Sequence, residues 1–195
     1  VARRLDGRRW FDAGTGTASA TDEGYRPAGR IGEVGWDAFD SLLGVRDFDG
    51  DGKPDLAART PDGSLYLYSG TGTGQTGTAR KIDYGWQIFD QLIAIQDFDG
   101  DGTNDLAGRR PDGSLWLYSN TGRAVLVNGR QIGSGWGIYN DIVGTGDDNG
   151  CREAGLVASE TTGAVYFDAG TGMQHPGHQT ARKLGGRGQG TLGAP

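Results

Sequence analysis

At 195 residues with a formal charge of −6, the chain is long enough for one domain, or two small ones, with a proper core. No apolar run approaches the length of a membrane span or a signal peptide, and no basic stripe stands out from the scattered arginines, which argues against membrane insertion and against nucleic acid as a partner. The 38 glycines and the scarcity of helical periodicity point to short strands between tight turns, an all-β composition.

The chain opens on Val1 rather than Met, which reads as a processed chain or a piece of a longer one. Val1 to Arg4 and Arg9 to Phe11 read as two strands, followed by a Gly- and Pro-containing stretch from Thr17 to Pro27 that fits no later pattern and would be a loop. From there a period of fifty sets in: Gly35-Trp36, Gly85-Trp86 and Gly135-Trp136 are so spaced, and so are Asp47, Asp97 and Asp147. One unit runs Gly-Trp-x-x-aromatic, an apolar strand (Leu42 to Val45), an acidic loop, and a second strand (Leu56 to Arg59). A Pro61-Asp62-Gly63 turn, a third strand (Ser64 to Tyr68), a Gly/Thr loop and a fourth strand near Arg80 to Ile82 complete it. Four strands in about fifty residues make a β-propeller blade.

The expected architecture is therefore a single all-β propeller domain over 1–195, with about four four-stranded blades. Complete blades fall at about 36–85, 86–135 and 136–187, with blade fragments at 1–35 and 188–195. Thr191 to Ala194 aligns with the first strand of a unit, so the ring closes if it pairs beside the N-terminal strand. The competing reading is a cut from a longer array, completed by another chain or by further domains.

The acidic loop is spelled twice, Asp47-Phe-Asp-Gly-Asp-Gly-Lys-Pro-Asp55 and Asp97-Phe-Asp-Gly-Asp-Gly-Thr-Asn-Asp105. Carboxylates at positions 1, 3, 5 and 9 repel one another unless a cation sits among them, and hard oxygens at alternate positions with Gly at position 6 suit Ca²⁺. An EF-hand would need Glu at position 12, where Ala58 and Gly108 stand, and flanking helices in place of these strands. Two Ca²⁺ sites are expected, and two bound ions would bring the formal charge to about −2. The third loop keeps Asp147 and Asn149, but Cys151 and Gly155 replace the carboxylates at positions 5 and 9, so it should hold no calcium. Cys151, the sole cysteine, can form no internal disulfide and reads as a turn residue. Millimolar extracellular calcium is the natural supply for such loops, which places the chain outside the cell.

These units resemble the FG-GAP or VCBS repeats of integrin-type propellers, through Asp-Phe-Asp-Gly-Asp-Gly-x-x-Asp-Leu, Pro-Asp-Gly-Ser-Leu-x-Leu-Tyr and Gly-Trp-x-x-Phe/Tyr. The resemblance implies a secreted or surface calcium-stabilised propeller used for adhesion or sugar binding. Its metal ligands would be Asp47, Asp49, Asp51, Asp55 and the Lys53 carbonyl, and then Asp97, Asp99, Asp101, Asp105 and the Thr103 carbonyl. Family propellers commonly carry more blades than this chain holds.

Two patterns mislead. Gly72 to Gly77 spells a dinucleotide fingerprint but opens no helix, and His175 and His178 lack a third metal ligand. With both histidines in one loop, no nucleophile, base and orienting group can be assembled, so an enzyme is not expected. Binding remains. A lectin would set an aromatic face beside a polar partner, and each blade offers one such pair: Trp36 with Asp40, Trp86 with Asp90, Trp136 with Asn140. The alternative use of these tryptophans is packing between blades. The partner expected is a glycan or, on the alternative reading, an extracellular protein docking on one face of the ring.

Overall fold

The computed structural model describes residues 2–3, 9–11, 29–30, 35–127, 129–146, 154–168 and 182–183. Its strands are β1 (Ala2–Arg3), β2 (Arg9–Phe11), β3 (Gly29–Arg30), β4 (Ser41–Arg46), β5 (Asp55–Arg59), β6 (Leu65–Gly70), β7 (Thr76–Asp83) and β8 (Gln91–Gln96). They continue as β9 (Asp105–Arg109), β10 (Leu115–Tyr118), β11 (Arg130–Gly133), β12 (Tyr139–Gly146), β13 (Gly155–Glu160), β14 (Val165–Asp168) and β15 (Arg182–Lys183). Each sheet is an antiparallel meander of consecutive strands: β1-β2-β3, then β4 to β7, β8 to β11 and β12 to β15. The fifty-residue period is thus one four-stranded sheet per repeat, the blade organisation expected from the sequence. Among the described residues no helix is long and apolar enough to cross a membrane. The strand expected at 191–194, the ring closure it would provide, the Thr17 to Pro27 loop and the two histidines lie outside the described residues.

Two compact units are present, one of Val1–Ile88 with Asn120–Val127, the other of Phe89–Ser119 with Asn128–Pro195. In the first, β6 alternates along Leu65-Tyr66-Leu67-Tyr68, with both leucines buried and both tyrosines half-buried. The tyrosine face meets aromatic rings, Trp36 lying 4.6 Å from Tyr68 and Phe39 6.0 Å from Tyr66. Apolar groups therefore cover both faces of the sheet, as in sheets stacked on two sides. In the second unit, Ile93, Ile95, Ala107, Leu115 and Leu117 of one sheet form a core with Trp136, Ile142, Leu156 and Ala158 of the next repeat.

The Gly-Trp segments that precede the first strand of each repeat are single 3-10 turns, Trp36–Ala38, Trp86–Ile88 and Trp136–Ile138. They serve as joints. The Trp86 N–H donates to the Gly63 carbonyl in the preceding repeat's Pro-Asp-Gly turn at 3.0 Å, and Trp136 does the same to Gly113 at 2.9 Å. Gly63 must be glycine: its φ is +84°, and a Cβ there would stand 1.8 Å from Gln87 Oε1. An arginine seals each joint from the strand below. Arg59 Nε donates to Asp40 at 2.8 Å while its Nη1 donates to the Trp86 carbonyl at 3.0 Å. Arg109 repeats this with Asp90 at 2.9 Å and with the Trp136 and Tyr139 carbonyls at 3.4 and 2.6 Å.

Trp86 is 2% exposed, and its indole N–H donates to Asp83 at 2.9 Å. Trp86→Ala should therefore lower unfolding free energy by about 3–5 kcal/mol through cavity formation. Trp86→Phe, which keeps the ring but loses the indole donor, should cost about 1 kcal/mol. Urea unfolding of both variants checks this, and equal, small losses would refute the packing role.

Candidate metal centres

Each acidic loop leaves a sheet through a bulge. The pairing of β4 with β5 shifts register between Gly44 and Arg46, that of β8 with β9 between Ala94 and Gln96, and Arg46 and Gln96 take φ of +55° and +61°. Left-handed backbone at a residue with a Cβ is strained, so the loop imposes it. Beyond the bulge, Gly50 and Gly52 (φ +85° and +83°) and Gly100 and Gly102 (φ +79° and +89°) turn the chain inward.

Their N–H groups then hold the first carboxylate. Asp47 accepts from Gly50 at 2.8 Å and Gly52 at 2.9 Å, and Asp97 accepts from Gly100 at 2.8 Å and Gly102 at 3.0 Å. Position 9 is already the first residue of a strand and is buried. Asp55 accepts from Phe48 at 2.9 Å, Asp49 at 3.3 Å and Gly70 at 2.8 Å, and Asp105 accepts from Phe98 at 3.0 Å. Burial pushes the Asp55 carboxyl above its ordinary range, against the pull of its Gly70 and Phe48 donors.

The structure gathers three of the four carboxylates in each loop, and not the same three. In the first, Asp47, Asp49 and Asp55 each bring an oxygen within 4.8 Å of the others; in the second, Asp97, Asp99 and Asp101 do so. Position 7 sets Asp51 apart from Asp101. Lys53 donates to Asp51 through both its backbone N–H (2.8 Å) and its ammonium (2.9 Å), holding the Asp51 carboxyl below its ordinary range and raising its own pKa. Thr103 carries no charge and binds Asp101 through its N–H at 2.8 Å and its hydroxyl at 2.7 Å. In the second loop, Asp99 Oδ1 is fully enclosed and has no hydrogen-bond partner among the described residues. A buried carboxylate oxygen without a donor is costly, and a cation among Asp97, Asp99 and Asp101 would supply its partner, so these residues fit a hard divalent ion.

The third loop, including Asp147, Asn149 and Cys151, lies outside the described residues. The aromatic–polar pairs are placed differently from what a sugar site needs. Trp36, Trp86 and Trp136 are 5%, 2% and 6% exposed, so their faces are enclosed. Asp40 and Asp90 are exposed but engaged by Arg59 and Arg109, while Asn140 is exposed on β12. Sequence reasoning missed the two arginines. The signal was there: Arg59 and Arg109 accompany Asp40 and Asp90, and where Asn140 replaces the aspartate, Ser159 replaces the arginine.

Residues 47–108, which contain both loops, match the family model described as FG-GAP-like repeat. No curated protein matches the chain. A solved structure of an Agrocybe aegerita lectin, described as specifically recognising non-reducing terminal N-acetylglucosamine, is similar in fold. Its TM-score is 0.59 at 19% identity, over 92% of this chain and 52% of that one, so the chain spans about half the length of that structure. Together with the successive four-stranded meanders, this makes the fold β-propeller-like.

Because Lys53 occupies Asp51 and adds a positive charge to its loop, the first loop should bind a divalent cation more weakly than the second. Lys53→Thr should tighten it about two- to fivefold, the scale of an exposed ion pair. Calorimetric titration of both proteins checks this, and unchanged affinity would remove Lys53 from the account.

Proposed function

We propose that the chain is a calcium-stabilised carbohydrate-binding module that works outside the cell. The enclosed Asp99 Oδ1, which has no donor among the described residues, carries the calcium part of this reading with Asp97 and Asp101 beside it. Eight carboxylates in two nine-residue loops add to it, since empty loops repel themselves and filled ones do not. Extracellular calcium is abundant enough to keep such loops filled. The ions would act as structural pins rather than reagents: the function is binding, not catalysis.

The carbohydrate part draws support from the fold shared with a lectin, whose terminal N-acetylglucosamine is the first sugar to try. With the tryptophans enclosed, the sugar-facing surface must lie elsewhere. Tyr84 is 78% exposed, with Lys81 Nζ 5.9 Å from its ring centre, an aromatic face beside a hydrogen-bond donor. A protein partner is the second reading, favoured by Ile88 and Ile138, which are 44% and 62% exposed at the same place in successive repeats.

Chelation should lower the melting temperature by several degrees, with calcium restoring it: a hundredfold excess over Kd stabilises by about 2.7 kcal/mol per site. Calorimetry should count two calcium equivalents, and one after Asp101→Ala. A melting curve indifferent to verified calcium removal would refute the metal reading. On a glycan array with calcium present, binding to terminal N-acetylglucosamine that is lost in Tyr84→Ala supports the lectin, whereas a blank array beside a co-purifying protein replaces it with the docking platform.

A further inference from the structure

Both loops use a residue that stands twenty positions after their position-3 carboxylate. The pairing of β5 with β6 sets Leu56 opposite Tyr68, so Ser69 falls one step further on, beside the strand end where Asp55 begins. Its hydroxyl donates to Asp49 Oδ2 at 2.5 Å. The pairing of β9 with β10 sets Leu106 opposite Tyr118 in the same way, and the next residue, Ser119, donates its hydroxyl to Asp99 Oδ2.

We infer that Ser69 and Ser119 are positioning residues of the two metal loops, each holding one oxygen of the position-3 carboxylate so that the other is presented to the cation. This rests on the calcium reading above. In the first loop Asp49 Oδ1 accepts only a long bond from the Asp51 N–H at 3.3 Å, and in the second the division of labour is complete: Oδ2 of Asp99 is taken by Ser119, and Oδ1 is the enclosed oxygen with no donor among the described residues. A freely rotating carboxylate would lose rotamer entropy on binding the ion; one fixed from behind has lost it already. The chain's own repeats supply an independent observation. Fifty residues further on, where Cys151 and Gly155 have replaced two carboxylates, the serine is also gone and Ala169 stands in its place. A serine needed only to finish a strand has no reason to disappear together with the carboxylates.

The test is a calcium titration of the whole chain by calorimetry, with the melting temperature of the calcium-free protein measured alongside. Ser119→Ala should keep two equivalents but weaken one site about 10- to 100-fold, the scale of losing a second-layer partner of a metal ligand. Its calcium-free melting temperature should stay at the native value, and Ser119→Thr, which restores the hydroxyl, should recover the affinity. Ser69→Ala should weaken the other site. Unchanged affinity in Ser119→Ala, or an affinity loss matched by lower calcium-free stability and not recovered by threonine, overturns the inference while leaving the calcium reading standing. Failure of both alanine variants to fold would assign the hydroxyls to the scaffold and overturn it too. A native chain that takes up no calcium would overturn the metal reading itself.

Discussion

Electrostatic repulsion within the acidic loops is the constraint on which their local structure turns. Four carboxylates in nine residues cannot be brought together for nothing, and the chain meets the demand with directed donors. Glycines at positions 4 and 6 turn their N–H groups onto the first carboxylate, the strand-opening carboxylate collects N–H groups from the loop and the neighbouring strand, and the position-3 carboxylate is held by a serine from that strand. The bulges at Arg46 and Gln96 follow from this, since a flat strand would deliver the loop at the wrong angle. In the second loop the enclosed Asp99 Oδ1 has no donor among the described residues, and a cation there would supply its partner.

Some of this was legible in the residues alone. The period of fifty, the four strands per period and the alternation of Leu65-Tyr66-Leu67-Tyr68 follow from spacing and side-chain type, and the sheets appear where those signals put them. What could not be read was anything set by backbone handedness or by a partner far along the chain. Arg46 gives no sign in its side chain that it adopts φ of +55°, because the loop geometry decides it. Ser69 looks like an ordinary residue at a strand end until the register shows which carboxylate lies beside it.

The two loops also show why a consensus is a poor guide to a particular site. Nine residues that differ only at Lys53/Thr103 and Pro54/Asn104 gather different sets of carboxylates, and an ammonium group claims Asp51 where a hydroxyl leaves Asp101 within the group. Reading Trp36, Trp86 and Trp136 as surface aromatics ran into a similar problem. A large ring after a glycine suits a binding surface and a joint equally well, and the deciding feature is the arginine twenty-three residues downstream of Trp36 and of Trp86, whose guanidinium reaches the next tryptophan's carbonyl.

That joint has a direction. Gly63 and Gly113 are pressed against the residues that follow Trp86 and Trp136, so close that neither could bear a side chain, and each turn is the socket into which the succeeding repeat plugs. At the third turn, Thr161-Thr162-Gly163, the sealing arginine has become Ser159. In an array held by neighbour-to-neighbour terms, cooperativity passes only through intact couplings. Unfolding should therefore pass through the Gly63–Trp86 and Gly113–Trp136 joints, so that loosening either turn loosens the tryptophan segment it holds.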